Sequence, residues 1–176
     1  MAYEAPSLVV KDVTEITAEG HNIIVNDVLF FRTPPIARVQ LGGSQTIITA
    51  TWTIVTSWSE AIDTDGMWTS ANNYIEIITA GIYQVSFSAA FANNASGGRI
   101  GVMSLNNATA NGAGGILQSS IVPTSITDAQ VGGSLTRAFV AGDKLRVQVY
   151  QNSDGDLGLV STAENYMAAV FVGNTA

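Results

Sequence analysis

The sequence predicts an all-β domain, a sandwich or barrel of about ten strands, preceded by one short helix. Three observations lead to this fold class. Short β-branched and aromatic runs recur from residue 36 onward, at a spacing of roughly 8–12 residues. Stretches rich in Gly, Asn and Ser separate these runs and are typical of turns. No helical periodicity interrupts the runs after residue 35, which favours a sandwich or barrel.

The clearest strand covers residues 81–91. Its side chains alternate, so that Tyr83, Val85 and Phe87 face one side while Gln84 and Ser86 face the other. The first group is apolar and the second is polar, which indicates a strand with one buried face. Further strands are predicted over residues 36–41, 53–58, 74–77, 99–105, 116–122, 134–140, 145–150 and 166–172.

Residues 1–35 form a separate N-terminal segment in this interpretation, and residues 36–176 form the head domain. Within the segment, Ile24, Val28 and Phe31 lie four and seven positions apart, on one face of a helix that the pair of prolines at 34–35 would end. This stripe either packs on its own domain or serves anchoring and oligomerisation. We favour the anchor, because the stripe is strongly apolar and the sandwich after it looks complete alone.

The composition excludes several classes of function. Only 12% of the residues are charged and the net charge is −7, against about 25% charged residues in ordinary soluble proteins. The seven basic residues are scattered, so we expect no nucleic-acid binding. No apolar run approaches the roughly 18 residues of a membrane span, and the N-terminus lacks the features of a signal peptide. We therefore expect synthesis in the cytoplasm without membrane insertion.

Residues for catalysis and metal binding are scarce. The sequence has no cysteine, and His21 is the single histidine, so a nucleophile–histidine arrangement is not expected and the protein is predicted not to be an enzyme. Two acidic turns resemble fragments of calcium loops, without the full pattern that ends in glutamate. Either they bind calcium or they are solvated turn carboxylates, and no other cofactor is expected. The candidate ligands are Asp63, Asp65, Asp154 and Asp156.

Three tryptophans, Trp52, Trp58 and Trp68, are candidates for the floor of a sugar site, because sugar rings stack on aromatic rings. The alternative is that they belong to the core, which is the commoner position for aromatic residues in strands.

Residues 63–87 resemble the globular heads of complement's first component, which share their jelly roll with tumour necrosis factor. In that family an Asp or Asn precedes an aromatic residue by five positions, an apolar residue follows seven later, and a Gly-x-Tyr-x-Phe-x-Phe run comes next. Ile75 and Val85 depart from the pattern by replacing aromatic residues. The resemblance implies an all-β jelly-roll sandwich with calcium as a conceivable ligand, and makes the matching residues structural core: Trp68, Ile75, Gly81, Tyr83 and Phe87, after Asp63.

The N-terminal segment has a resemblance of its own. Residues 1–6, 16–19, 22–27 and 34–39 look like the opening of small virion proteins of tailed bacteriophages, with Ile24 and Asn26 as departures. This resemblance implies a structural protein located in the virion.

Two functions follow as expectations. The first is a homotrimeric tail-fibre or receptor-binding knob, attached to other virion proteins through residues 1–35 and presenting loops to a host surface glycan or protein. The second is a capsid decoration protein, of the cement or head-fibre kind, without a role in host recognition. A homotrimer is expected because closed assembly would cover the apolar surface of a sequence so poor in charge.

Overall fold

The structure is a computed structural model that describes residues 33–123, 129–160 and 164–174. Residues from Pro34 onward belong to one compact unit. The predicted anchoring stripe of Ile24, Val28 and Phe31 lies outside the described residues. Within the described ranges, no helix is long and apolar enough to cross a membrane.

All regular elements of the described residues are strands. They are β1 (Ile36–Leu41), β2 (Gln45–Ile47), β3 (Thr53–Ile54), β4 (Trp58–Asp63), β5 (Ile75–Glu76), β6 (Gly81–Phe91), β7 (Arg99–Leu105), β8 (Gly115–Ile121), β9 (Ala129–Phe139), β10 (Lys144–Gln151), β11 (Leu157–Leu159) and β12 (Tyr166–Gly173).

The strands form two antiparallel sheets. A seven-stranded sheet has the order β2-β11-β6-β12-β1-β4, and β9 pairs with the other side of β6 along its length. A five-stranded sheet has the order β3-β10-β7-β8, with β5 also paired to β10. The core lies between the sheets and contains buried side chains from both. The predicted all-β sandwich is therefore confirmed.

The observed strands differ from the predicted ones in the short strands and at the start of β9. β2 and β11 contain three residues each, too few to show an alternating pattern, and the predicted run 53–58 divides into β3 and the start of β4. β9 begins at Ala129 instead of Ser134 and passes through Gly132 and Gly133. A Cβ at Gly132 would lie 2.4 Å from the carbonyl oxygen of Phe87. Glycine therefore permits the close pairing of β9 with β6, although in the sequence it resembles a break.

The centre of the core is built on β6. Tyr83, Val85 and Phe87 are at most 1% exposed, and the Tyr83 ring meets the rings of Phe139 and Phe171 edge-on, with centroids 6.2 and 5.3 Å apart. Edge-to-face contacts of this kind add to the free energy gained from burial. The family-like residues Trp68, Ile75, Gly81, Tyr83 and Phe87 are all buried in the sandwich.

A buried cation organises one end of the sandwich. Arg99 has no exposed surface, and its guanidinium donates to the carbonyl oxygens of Asn94, Ser96 and Gly98 at 2.9 to 3.1 Å. Among the described residues it has no carboxylate partner, because the one ion pair there joins Lys144 to Glu76. Arg99 thus supplies donors to the carbonyls of the loop between β6 and β7, of which that of Gly98 also accepts the backbone N–H of Asn152 at 3.3 Å.

Candidate assembly and recognition surfaces

The carboxylate of Asp63 closes the turn that follows β4. One oxygen accepts the backbone N–H groups of Asp65 and Met67 at 3.2 and 3.0 Å, and the other accepts that of Trp68 at 2.9 Å. The turn thereby places Trp68 in the core, where it is 7% exposed. The spacing of five positions between Asp63 and Trp68 therefore has a structural cause. The carboxylate binds three backbone N–H groups of the turn, and the last of them belongs to Trp68.

The other acidic turn residues lie apart or have protein partners. Thr79 donates its hydroxyl to Asp65 at 2.9 Å, and Asp156 accepts the N–H of Thr49 at 3.0 Å. Asp154 is exposed beside Asp156 in the turn after β10. The residues that the structure describes contain no group of three or more His, Asp or Glu able to hold a metal ion. Calcium binding remains a prediction from the sequence.

Tyr83 carries the one polar atom of the central aromatic cluster. Its hydroxyl donates to the carbonyl oxygen of Thr79 at 2.6 Å. Burial, with a smaller contribution from the negative charge of Asp65, raises the pKa of Tyr83 to about 12, since both effects oppose formation of a phenolate. This residue is a component of the fold and does not face a ligand.

The three tryptophans have different environments. Trp58 and Trp68 are 8% and 7% exposed, and their indole N–H groups are buried without an acceptor among the described residues. Trp52 is half-buried, with its ring 5.4 Å from that of Tyr150 at an angle of 43°. Of the three candidates for a sugar floor, only Trp52 therefore retains substantial exposed surface.

The outer side of four adjacent strands of the seven-stranded sheet, β9, β6, β12 and β1, is almost free of charge. The strand registers align its side chains in rows across β9, β6, β12 and β1, and only Arg38 among them is charged, with its guanidinium 4.9 Å above the ring of Tyr166. We call this set the assembly face: Ile36, Arg38, Gln40, Ile82, Gln84, Ser86, Ser88, Ala90, Gln130, Gly132, Ser134, Thr136, Ala138, Tyr166, Ala168 and Val170. Ser88, Ala90 and Ala168 are buried, and the other residues are at least partly exposed.

A depression of about 370 Å³ opens where this face borders β8, and its lining includes Ser88, Gln130, Gly132, Tyr166 and Ser119 of β8. Gly132 contributes no side chain, and the amide of Gln130 donates to the hydroxyl of Ser88 at 2.6 Å. The face is therefore concave and polar at this point, with apolar side chains such as Ile82 elsewhere.

A second surface of low charge lies at β8 and β9, which are edge strands of the five-stranded and the seven-stranded sheet. The strands lie next to each other, and the side chain of Leu117 is 3.3 Å from the position of a Cβ at Gly133. β8 contains neither a charge nor a proline, which are the usual means of protecting an edge strand from pairing. Leu117 and Leu135 are only partly buried there, and Ile121 is 41% exposed. We call this the edge surface: β8, the adjoining edge of β9, and these three side chains.

Comparison with known proteins identifies the fold. No protein-family model and no curated protein sequence matches the chain. Among solved structures, the Eiger TNF of S. frugiperda is 15% identical with a TM-score of 0.61, covering 81% of this chain and 96% of that chain. Murine APRIL is 11% identical with a TM-score of 0.57, covering 78% and 98%. The globular domain of zebrafish complement 1qA is 12% identical with a TM-score of 0.56, covering 80% and 99%.

Similarity at this level of identity concerns the fold alone. The chain has the jelly-roll fold of these tumour necrosis factor and complement domains, as the resemblance of residues 63–87 predicts. No enzyme family is indicated. The bacteriophage resemblance of residues 1–35 remains a prediction from the sequence.

Proposed function

We propose that this chain is a non-enzymatic recognition module that assembles as a homotrimer, and that it is the knob of a bacteriophage tail fibre or receptor-binding protein. The observation that carries the proposal is the assembly face, which spans four strands and contains a single charged residue, Arg38. Protein surfaces exposed to water usually carry interspersed charges, whereas the centres of subunit interfaces are depleted of them.

The edge surface supports the same conclusion from a different side of the molecule. An uncharged edge strand with partly exposed Leu117 and Ile121 invites uncontrolled pairing with other chains unless a partner covers it. Packing the edge surface of one copy against the assembly face of the next would cover both.

Such a contact joins two different surfaces, so it is heterologous, and it yields a finite particle only if the copies close into a ring. A ring of three is the expectation from the jelly-roll resemblance. In that arrangement the outer side of each five-stranded sheet stays available for recognition.

The attachment to a virion rests on the sequence of residues 1–35. Their apolar stripe of Ile24, Val28 and Phe31 suits docking to other subunits of a particle. The second candidate, a capsid decoration protein, would use the same trimer and the same anchor. Immunogold labelling of particles separates the two functions, since a label at the tail tip supports the knob and a label over the capsid lattice supports decoration.

The trimer is tested by the mass in solution, measured by light scattering at micromolar concentration. We expect about 55 kDa, three chains of 18.4 kDa. Ser134→Glu should reduce the mass to that of a monomer, because Ser134 lies opposite Ser86 at the middle of the assembly face. Ser70→Glu is the matched control, since Ser70 is exposed in the turn before β5. A wild-type protein that stays monomeric would refute the proposal.

A further inference from the structure

A pocket of about 370 Å³ opens on the outer side of the five-stranded sheet. Its lining includes Ile100, Ser120, Val122, Tyr150 and Asn152. We call it the sheet pocket. Its lining contains no acidic residue, and Ser120 and Ile121, at the end of β8, belong to the edge surface as well.

The strand register places these side chains together. Ile100 of β7 lies opposite Tyr150 of β10 on one side and opposite Ser120 of β8 on the other. The three side chains therefore form a row across the outer side of the sheet, because directly paired residues point to the same face. Arg99 also lines the pocket, but its side chain has no exposed surface and its guanidinium binds loop carbonyls.

The sheet pocket combines apolar walls with uncharged hydrogen-bonding groups. Ile100 and Val122 supply the walls, and Val122 is 72% exposed. The hydroxyls of Ser120 and Tyr150 can each donate or accept a hydrogen bond. Asn152 is fixed by accepting the N–H of Gly98 at 2.5 Å, and this bond uses its Oδ1 and leaves its Nδ2 donors for a ligand.

The aromatic ring of the pocket is held in place by a neighbouring ring. Tyr150 packs against Trp52, with ring centroids 5.4 Å apart, and Trp52 is in turn packed under Gly112. A Cβ at Gly112 would lie 2.5 Å from the Trp52 ring, and the φ of Gly112 is +70°, so glycine is required there. The loop between β7 and β8, which contains Gly112, is held to the sheet by Gln148, whose side-chain oxygen accepts the N–H groups of Asn111 and Gly112. A ligand would therefore meet a ring that is already oriented.

We propose that the sheet pocket binds a neutral hexopyranose, the terminal residue of a glycan. An uncharged ring with apolar C–H groups on one face and hydroxyls around its rim matches a pocket of aromatic, aliphatic, hydroxyl and amide groups. An acidic sugar would find no exposed cation to pair with its carboxylate, because the Arg99 guanidinium is buried and binds loop carbonyls. The volume accommodates one sugar ring. This inference rests on the proposed recognition function and names the ligand class that the module would recognise.

The test is a titration of the full-length ¹⁵N-labelled protein with methyl α-D-glucopyranoside, methyl α-D-galactopyranoside and glucuronate, followed by amide chemical shifts. We expect saturable shifts around Tyr150, Ser120 and Asn152 with at least one neutral sugar, and a Kd on the order of 1 mM, as is reasonable for a ligand of few atoms. Glucuronate should bind at least tenfold more weakly.

Two variants and one control locate the site. Tyr150→Ala should weaken binding at least tenfold, and Ser120→Phe should abolish it by filling the pocket, which also covers the case in which the first variant fails to fold. Tyr74→Ala is the matched control, because Tyr74 lies at the other end of the same sheet beneath Lys144 and Arg146, and it should leave the Kd unchanged.

The absence of saturable shifts with either neutral sugar, equal binding of glucuronate, or an equal loss in Tyr74→Ala would overturn the site. Light scattering on the same samples separates this result from the proposed function. A trimer that binds no sugar refutes only the pocket, whereas a monomer that binds sugar through Tyr150 refutes only the assembly.

Discussion

Replacing Tyr83 with phenylalanine removes one oxygen atom from the centre of the sandwich. Tyr83 has no exposed surface, and its hydroxyl donates to the Thr79 carbonyl at 2.6 Å. At neutral pH the variant loses this hydrogen bond and leaves a buried carbonyl without its donor. The combined cost is about 1–3 kcal/mol of unfolding free energy.

The same substitution should change how stability depends on pH. The pKa of Tyr83 is about 12 in the folded protein, against 10.0 for an ordinary tyrosine. Because the folded pKa is the higher one, the neutral hydroxyl contributes stability that is fully present below pH 10. This stability is lost as the pH rises from about 10 to about 12, and two pKa units correspond to roughly 3 kcal/mol.

The wild type should therefore be more stable than Tyr83→Phe at pH 8 and should lose that advantage by pH 12. Urea denaturation monitored by tryptophan fluorescence, repeated from pH 8 to 12, measures the difference. Phe87→Leu is the control, since it alters the same strand without removing a titrating group and should keep a constant deficit relative to the wild type. A difference between the wild type and Tyr83→Phe that does not change with pH would refute the assignment of the raised pKa to burial of this hydroxyl.

Three further predictions concern the core, the buried cation and the anchor. Phe87→Ala should lower the unfolding free energy by about 3–5 kcal/mol through cavity formation, measured by urea denaturation at pH 7, and a neutral effect would show that the core tolerates the loss. Arg99→Met should lower the unfolding free energy by about 1–3 kcal/mol, because the carbonyls of Asn94 and Ser96 lose a charged donor; unchanged hydrogen exchange in the loop after β6 would argue against this. Deletion of residues 1–33 should leave a folded β-rich head by circular dichroism that no longer incorporates into particles, and normal incorporation would disprove the anchor.

The sequence by itself determined the local features of this protein. The alternation of Tyr83, Val85 and Phe87 with polar residues identified the central strand, because a period of two residues is a local property of one chain segment. The scarcity of charged residues indicated assembly, and the sequence suffices for this because composition does not depend on how the strands pair. The spacing from Asp63 to Trp68 also marks a local structure, a turn closed by one carboxylate.

Tertiary structure alone decided which distant residues meet. Tyr150, Ile100 and Ser120 form one row because β10, β7 and β8 pair in a particular register, and register follows from the packing of both sheets. The same holds for Trp52. The sequence does not distinguish it from Trp58 and Trp68, and only the contacts with Tyr150 and Gly112 give it a different environment. Gly132 resembled a strand break in the sequence, because the reason for a glycine there is a tertiary contact: any side chain would collide with the backbone of Phe87. A single sequence records residue types, whereas pairing and burial depend on contacts between segments far apart in the chain.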